Sequence, residues 1–185
     1  MSVRPVPAPS PAPAQQLPAG LVPVLAGVRG LAGMDFAGEG ASGRAGWLVG
    51  LRQLVDAAEV AFTEALAAFD AAGDGQVLSG AQSSAAWLRA ELHLAPGDAS
   101  ARVHLARQRH LLADTLQAVH TGVVTFDQAT AVEKAVRPLP DTAKPDAVQL
   151  LTGLAQVTDA SAVRVAGRRL REVVDPDGAL TEGHA

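Results

Sequence analysis

Apolar residues recur at alternating spacings of three and four between Leu48 and Ala72, and this period is typical of one long amphipathic α-helix. Gly73 and Gly75 follow, where a left-handed residue commonly ends a helix. The stripe is either the core-facing side of a helical bundle or the seam of a dimeric coiled coil. We favour the bundle, because the stripe is rich in alanine and only a few heptads long. It consists of Leu48, Leu51, Val55, Ala58, Phe62, Ala65, Phe69 and Ala72.

Two shorter amphipathic patterns surround a Pro-Gly turn in the stretch Ser83–Leu112. Pro96 and Gly97 stop the first helix and redirect the chain, after which the apolar period resumes. The second helix is predicted from about Asp98 to His120, because Gly122 is placed to stop it. Together they predict a hairpin that resembles a helix-turn-helix motif, which serves either for DNA contact or only for packing.

The first helix of this hairpin has two candidate N-caps. Ser79 with Gln82 has the spacing of a capping box, and Ser83 competes with it. Either cap starts the helix that carries Trp87, which we predict to be an anchor of the core.

Three more helices are predicted downstream. Thr125 with Gln128 opens one helix, which Pro138 closes. The next two cover Asp141–Val157 and Ser161–Val174. The leucines predicted to face inward in the Asp141–Val157 helix are Leu150, Leu151 and Leu154.

The composition favours an all-α class. Ile, Tyr, Asn and Cys are absent, aromatic residues are 3%, and Ala, Leu and Val dominate the apolar set, which suits close-packed helices better than sheets. We therefore predict a bundle of about six helices over residues 42–178. A largely disordered Pro- and Gly-rich tail is expected at residues 1–41, with room for a short helix within Leu21–Phe36, and a disordered C-terminus at residues 179–185.

The apolar stretch Leu17–Leu31 raises the question of targeting. Five helix-breaking residues interrupt it, and a spanning helix needs about 20 largely apolar residues. We expect neither a membrane span nor a signal peptide, and a cytoplasmic location. The interrupting residues are Pro18, Gly20, Pro23, Gly27 and Gly30.

Basic side chains form two local stripes although the net charge of the chain is −4. Over Ser161–Val174, four arginines stand against Glu172, which gives a local charge of +3. Arginine stripes can contact phosphates, which supply most nucleic-acid affinity, or they can be solvated faces paired with the Asp and Glu residues of neighbouring helices. The residues predicted to make weak, salt-sensitive nucleic-acid contacts are Arg102, Arg107, Arg109, Arg164, Arg168 and Arg171.

No pattern in the sequence predicts catalysis, a cofactor or a metal site. Four histidines lie between residues 93 and 120, but their separations of eleven, six and ten do not place metal ligands on one helical face. Glu59, Glu64 and Asp70 are expected to be the solvated face of the long helix rather than acid or base catalysts. The histidines are His93, His104, His110 and His120.

Three pieces of the chain, taken in order, resemble domain of unknown function 222, also called the 13E12 repeat family, over about Leu48 to Gly178. The first is Ser84–Leu88, with the sequence SAAWL. The second is LAPGDA at Leu94–Ala99, leading to LAR at Leu105–Arg107. The third is VDPDG at Val174–Gly178.

Members of that family usually continue into a C-terminal HNH endonuclease domain, so the resemblance implies a module that accompanies a nuclease. An HNH site needs histidines for metal and water and usually an Asn, whereas this chain has no Asn and, after His120, only His184. The resemblance therefore implies a non-catalytic helical module whose partner is DNA. The alternatives are a protein-interaction or dimerisation module, with a second copy or a helical protein as partner, or a truncated remnant of a longer HNH endonuclease.

Overall fold

The computed structural model describes residues 17–174, and within them the chain forms nine α-helices and no strand. The all-α class is thereby confirmed, while the predictions for residues 1–16 and 175–185 lie outside the described residues. The chain divides into two compact units, Met1–Trp47 and Leu48–Ala185. The helices are α1 (Leu21–Leu31), α2 (Ala41–Ala72), α3 (Asp74–Ser79), α4 (Ser84–Glu91), α5 (Pro96–Arg107), α6 (Ala113–His120), α7 (Phe126–Val136), α8 (Lys144–Ala155) and α9 (Ala160–Val174).

In the first unit, α1 is the short helix that the sequence allowed within Leu21–Phe36, and none of its residues is buried. The loop after α1 is held by Asp35, whose carboxylate accepts hydrogen bonds from the backbone N–H groups of Ala37 (3.0 Å) and Gly38 (3.3 Å). Phe36 packs edge-on against Trp47, with ring centroids 5.4 Å apart.

The apolar stripe of α2 faces a core only in part. Phe62 and Phe69 pack against a core cluster formed with α4 and α5, as predicted, but the prediction is wrong for the N-terminal half of the stripe. Leu48 and Val55 of the stripe are 71% and 50% exposed. The buried residues of α2 are Asp56, Thr63, Leu66 and Ala67. The difference arises because the buried side of α2 carries a carboxylate, and a search for apolar residues alone does not detect it.

That carboxylate, Asp56, caps the N-terminus of α7. Its Oδ1 accepts a hydrogen bond from the backbone N–H of Phe126 at 3.1 Å, and its Oδ2 accepts one from Arg52 Nε at 3.0 Å. A negative charge at the positive end of a helix is favourable, and the partner Arg52 offsets the cost of burying it. Asp56 therefore fixes α2 against the start of α7.

The region predicted as one helix, Asp98–His120, is two helices, α5 and α6, with a turn at residues 108–112. The two halves contribute mainly to different cores, although Leu105 of α5 joins α6 in the large core. Ala99, Val103 and Ala106 of α5 belong to a small core with α2 and α4. In the large core, residues of α6 pack with α7, α8 and α9. No Gly or Pro marks the turn, so the sequence carries no local signal for it.

The start of α5 also differs slightly from the prediction. Pro96, expected to stop the preceding helix, is the first residue of α5. Proline suits the first helical turn because its missing N–H would have no helical acceptor there. The hairpin of α4 and α5 is otherwise present as predicted.

Ser83 is the N-cap of α4, and its Oγ accepts a hydrogen bond from the backbone N–H of Ala86 at 3.1 Å. Trp87 is half-buried and packs against Phe69, with ring centroids 4.6 Å apart. The neighbouring Leu88 is only 1% exposed, so it takes the central position that was predicted for Trp87.

Gly75, expected to end α2, lies inside α3, a short helix that was not predicted. A Cβ added at Gly75 would lie 3.2 Å from Cβ of Trp87, so glycine permits α3 to pack closely on α4. Gly73 ends α2 in the left-handed conformation, as the sequence predicts.

The capping box at α7 is confirmed. Thr125 Oγ1 accepts from the backbone N–H of Gln128 at 3.3 Å, and the Gln128 side chain accepts from the backbone N–H of Thr125 at 2.7 Å. Gln128 Nε2 also donates to the carbonyl of Ala155 at 2.7 Å, which ties the start of α7 to the end of α8.

The inward-facing residues of α8 are only partly as predicted. Leu151 is buried and Leu154 is half-buried, but Leu150 is 62% exposed. The prediction for Leu150 is wrong because consecutive helical residues point about 100° apart, so Leu150 and Leu151 cannot both face one core.

Candidate functional site

The predicted cationic residue Arg102 lies on α5 and faces α2. Its Nη2 donates to Glu59 Oε1 at 2.8 Å, and its Nη1 makes a second contact with the same carboxylate. The guanidinium carbon is 5.1 Å from the centroid of the Phe62 ring. Arg102 is thus engaged by an acidic and an aromatic residue of one helix.

Arg107 of α5 and Arg109, in the turn after α5, also pair with α2. Arg107 Nε and Nη2 donate to the two oxygens of Asp70 at 2.7 and 3.0 Å. Arg109 Nε lies 3.4 Å from an oxygen of Glu64. Arg102, Arg107 and Arg109 therefore match the alternative that the sequence left open, a basic face paired with the acids of a neighbouring helix.

Asp70 is more than part of a solvated face. Its side chain is 14% exposed, and the hydrogen bonds from Arg107 hold the pKa of the Asp70 carboxyl below its ordinary value. Burial acts in the opposite direction, and a hydrogen bond from Ser84 lowers the pKa further. The acids of α2 stabilise the position of α5, which makes the α4–α5 hairpin a packed element of the fold.

The other predicted stripe lies on α9, which packs against α7 more extensively than any other pair of helices does within the described residues. The two helices nearly touch where Gly167 lies over Ala135. A Cβ added at Gly167 would lie 2.3 Å from Cβ of Ala135, so only glycine fits at this crossing. The close approach brings the side chains of α7 beside those of α9.

A groove of about 240 Å³ runs between α7 and α9. Its apolar lining consists of small residues, Ala131, Ala135, Pro138 and Gly167. Its remaining lining residues are all cationic, namely Lys134, Arg164, Arg168 and Arg171. The structure therefore gathers the whole predicted α9 stripe and adds one lysine from α7.

No carboxylate of residues 17–174 lies within ion-pair distance of Lys134, Arg164 or Arg168. All three are exposed, and Arg171 is half-buried. The neighbouring acid Glu133 is buried, and its oxygens accept hydrogen bonds from Arg137 at 2.9 and 2.6 Å. The groove therefore presents positive charge to solvent.

The sequence analysis missed Lys134. Lys134 is a single lysine on α7, between a buried acid and a half-buried alanine, and it belongs to no basic pattern in the sequence. The signal for its role is spatial and comes from Gly167, whose small size lets α7 approach the arginine stripe. On α9, Val163 is buried, whereas Val173 is 79% exposed.

A second cavity, of about 300 Å³, lies among α2, α5 and α7. Cations and anions line it in equal number, so it has no net attraction for a polyanion. Its charged lining residues are Arg52, Arg102, Lys134, Glu59, Asp98 and Asp127. Between residues 17 and 174, no three or more His, Asp or Glu side chains are grouped in a way that could hold a metal ion.

The sequence model of the family DUF222, described as a domain of unknown function, matches residues 48–185. The chain belongs to this family. The DUF222 match starts at Leu48, where the second compact unit also starts, and it contains both the α2–α5 ion pairs and the α7–α9 groove. No curated protein and no solved structure matches the DUF222 chain. In its described part, each helix is too short or too polar to cross a membrane.

Proposed function

We propose that this DUF222 domain is a non-catalytic helical module that binds nucleic acid weakly, through phosphate contacts in the α7–α9 groove. The observation that carries the proposal is the groove's lining, in which the exposed cations Lys134, Arg164 and Arg168 converge and none of the described lining residues is a carboxylate. Phosphate contacts of this kind supply most of the sequence-independent affinity of nucleic-acid-binding proteins. The resemblance to modules that accompany HNH nucleases supports the same role.

The composition of the groove favours weak and sequence-independent binding. Asn and Gln are the side chains that read adenine, and neither is among the described residues that line the groove. The net charge of −4 opposes binding outside the groove. We therefore assign backbone contact, without base recognition, to Lys134, Arg164, Arg168 and Arg171.

The proposal leaves out Arg102, Arg107 and Arg109. Their guanidiniums bind carboxylates of α2, and a phosphate would have to displace those carboxylates to reach them. Removing these arginines also weakens the contact between α2 and α5, so their substitution tests folding rather than binding.

Fluorescence anisotropy of a labelled random duplex at about 50 mM salt tests the proposal. The groove variant combines Lys134→Ala, Arg164→Ala and Arg168→Ala, three exposed cations. The control variant combines Arg29→Ala, Arg89→Ala and Arg169→Ala, which removes the same charge outside the groove lining. We expect the groove variant to bind on the order of tenfold or more weakly than the control. Equal affinity of the two variants would contradict the site.

A second candidate function is self-association through α2, and one observation favours it. The N-terminal half of the predicted stripe exposes large aliphatic side chains, with Leu48 at 71% and Val55 at 50% exposure. Large exposed apolar patches commonly mark protein–protein contacts. A second copy of the same helix would cover these side chains at the heptad spacing that the stripe has.

Sedimentation velocity at increasing protein concentration tests the second candidate. Self-association is expected for the wild-type chain and for Gln53→Asp, an exposed change outside the stripe. It should be lost in a variant that combines Leu48→Asp and Val55→Asp. A wild-type chain that stays monomeric at the highest concentration rejects this candidate and leaves the groove proposal untouched.

A further inference from the structure

We infer that the α7–α9 groove takes the phosphate backbone of a nucleic-acid duplex in preference to a single strand. This inference rests on the proposed function and specifies the substrate class of the same groove. It follows from the spacing of the cations and from the chemistry of the groove's remaining lining.

The cations on α9 form a straight, rigid row. At a rise of about 1.5 Å per residue, Arg164 and Arg168 are about 6 Å apart along the helix axis, and Arg168 and Arg171 about 4.5 Å. The exposed members of the row, Arg164 and Arg168, are therefore held at a fixed spacing by the helix. Lys134 adds a cation from the opposite wall.

The groove gives an unpaired base nothing to stack on. Proteins that bind single strands without sequence preference place aromatic side chains beside a cationic track, and each stacked base contributes about 1 to 3 kcal/mol. Among residues 17–174, none that lines this groove is aromatic, and the apolar surface comes from alanine, glycine and proline. The described lining thus offers contact with the phosphate backbone and no surface on which a base could stack.

Backbone contact alone favours the duplex. A duplex carries about one charge per 1.7 Å of axis and holds its phosphates at fixed positions along each helical strand. A flexible single strand has to lose conformational freedom to follow the rigid row on α9, and no stacking offsets this loss. The difference in affinity should therefore appear between probes of one sequence that differ only in pairing.

The test compares a labelled strand of about 20 nucleotides, without self-complementary stretches, with the same strand annealed to its complement. Anisotropy is measured at about 50 mM salt for the wild-type chain and for the groove variant Lys134→Ala, Arg164→Ala and Arg168→Ala. We expect the duplex to bind roughly tenfold or more tightly than the strand, and the groove variant to lose this preference.

The outcomes distinguish failure of this inference from failure of the proposed function. If the single strand binds as tightly as the duplex and the groove variant weakens both, the groove is a nucleic-acid site but the inferred preference is wrong. If the duplex is preferred to the same extent by wild-type chain and groove variant, the preference does not come from this groove. If neither probe binds, the proposed function and the inference both fail.

Discussion

At the scale of single residues, the groove depends on one glycine. Gly167 lies so close to Ala135 that its missing Cβ defines the distance between α7 and α9. A larger residue would have to push the two helices apart, since backbone and Cβ atoms on both sides cannot rotate away. The cations of α7 and α9 would then no longer line one groove.

Gly167→Ala should lower the free energy of unfolding by about 1 to 3 kcal/mol, the usual cost of overpacking, although alanine is the better helix former. The control is Gly153→Ala on α8, where an added Cβ has no atom within 4 Å, and which should stabilise by up to about 1 kcal/mol. Urea unfolding followed by circular dichroism measures both. Stabilisation by Gly167→Ala would show that the helices are not in close contact.

Truncation of Leu88 should lower the free energy of unfolding more than truncation of its neighbour Trp87. Leu88→Ala is expected to cost about 2 to 5 kcal/mol, because the side chain is fully buried among α2, α4 and α5. Trp87→Ala should cost less than the about 3 to 5 kcal/mol typical of a fully buried Trp, because the ring is half-buried and packs mainly on Phe69. Urea midpoints in the reverse order would contradict this placement.

At the scale of helices, ion pairs hold α5 on α2. Of the pairs between arginines and the acids of α2 at this contact, Arg107–Asp70 has the most buried acid, and the hydrogen bonds from Arg107 depress the pKa of the Asp70 carboxyl. A carboxyl with a depressed folded pKa stabilises the fold above its unfolded pKa, ordinarily 3.8. That contribution is lost as the pH falls through the folded pKa below this value.

Arg107→Ala therefore should destabilise the chain at pH 6 by about 0.5 to 1 kcal/mol, as expected for a pair with one exposed partner. The difference from the wild type should shrink as the pH is lowered below about 4, because the wild-type chain then loses the same interaction. Chemical unfolding at a series of pH values measures it. Arg89→Ala, whose cation has no ion pair within residues 17–174, is the control, and its effect should not change with pH.

The helices themselves were largely predictable, because caps and helix-ending residues are local signals. Thr125 with Gln128 predicted the start of α7, and Gly73 predicted the end of α2. The turn at residues 108–112 was not predictable, because it depends on tertiary packing: the helices on its two sides pack mainly in different cores. The buried side of α2 was missed for a related reason, as Asp56 is buried in order to cap α7.

The candidate site was predicted in part. The spacing of Arg164, Arg168 and Arg171 alone predicted a common stripe, and the structure places all three along one groove. The same reasoning could not distinguish this stripe from the arginines of α5, because the acids that bind them lie about 40 residues away in sequence. Lys134 joins the groove only through the contact of α7 with α9.

At the scale of the whole molecule, the distribution of charge matters more than its sum. The chain has a net charge of −4, yet the acids of α2 bind the arginines of α5 while Lys134, Arg164 and Arg168 of the α7–α9 groove are exposed. An acidic protein with a basic groove should attract polyanions there and repel them elsewhere. The proposed binding should then be confined to the groove and be sensitive to salt.

The most direct test of this claim is the slope of the logarithm of the duplex association constant against the logarithm of salt concentration. Each phosphate contact contributes about −0.9, so the three exposed groove cations alone predict a slope of about −3 or steeper for the wild-type chain. The variant lacking Lys134, Arg164 and Arg168 should have a slope that is shallower by about 3. The control variant lacking Arg29, Arg89 and Arg169 should keep the wild-type slope. Equal slopes for groove and control variants would contradict the assignment of nucleic-acid binding to the α7–α9 groove.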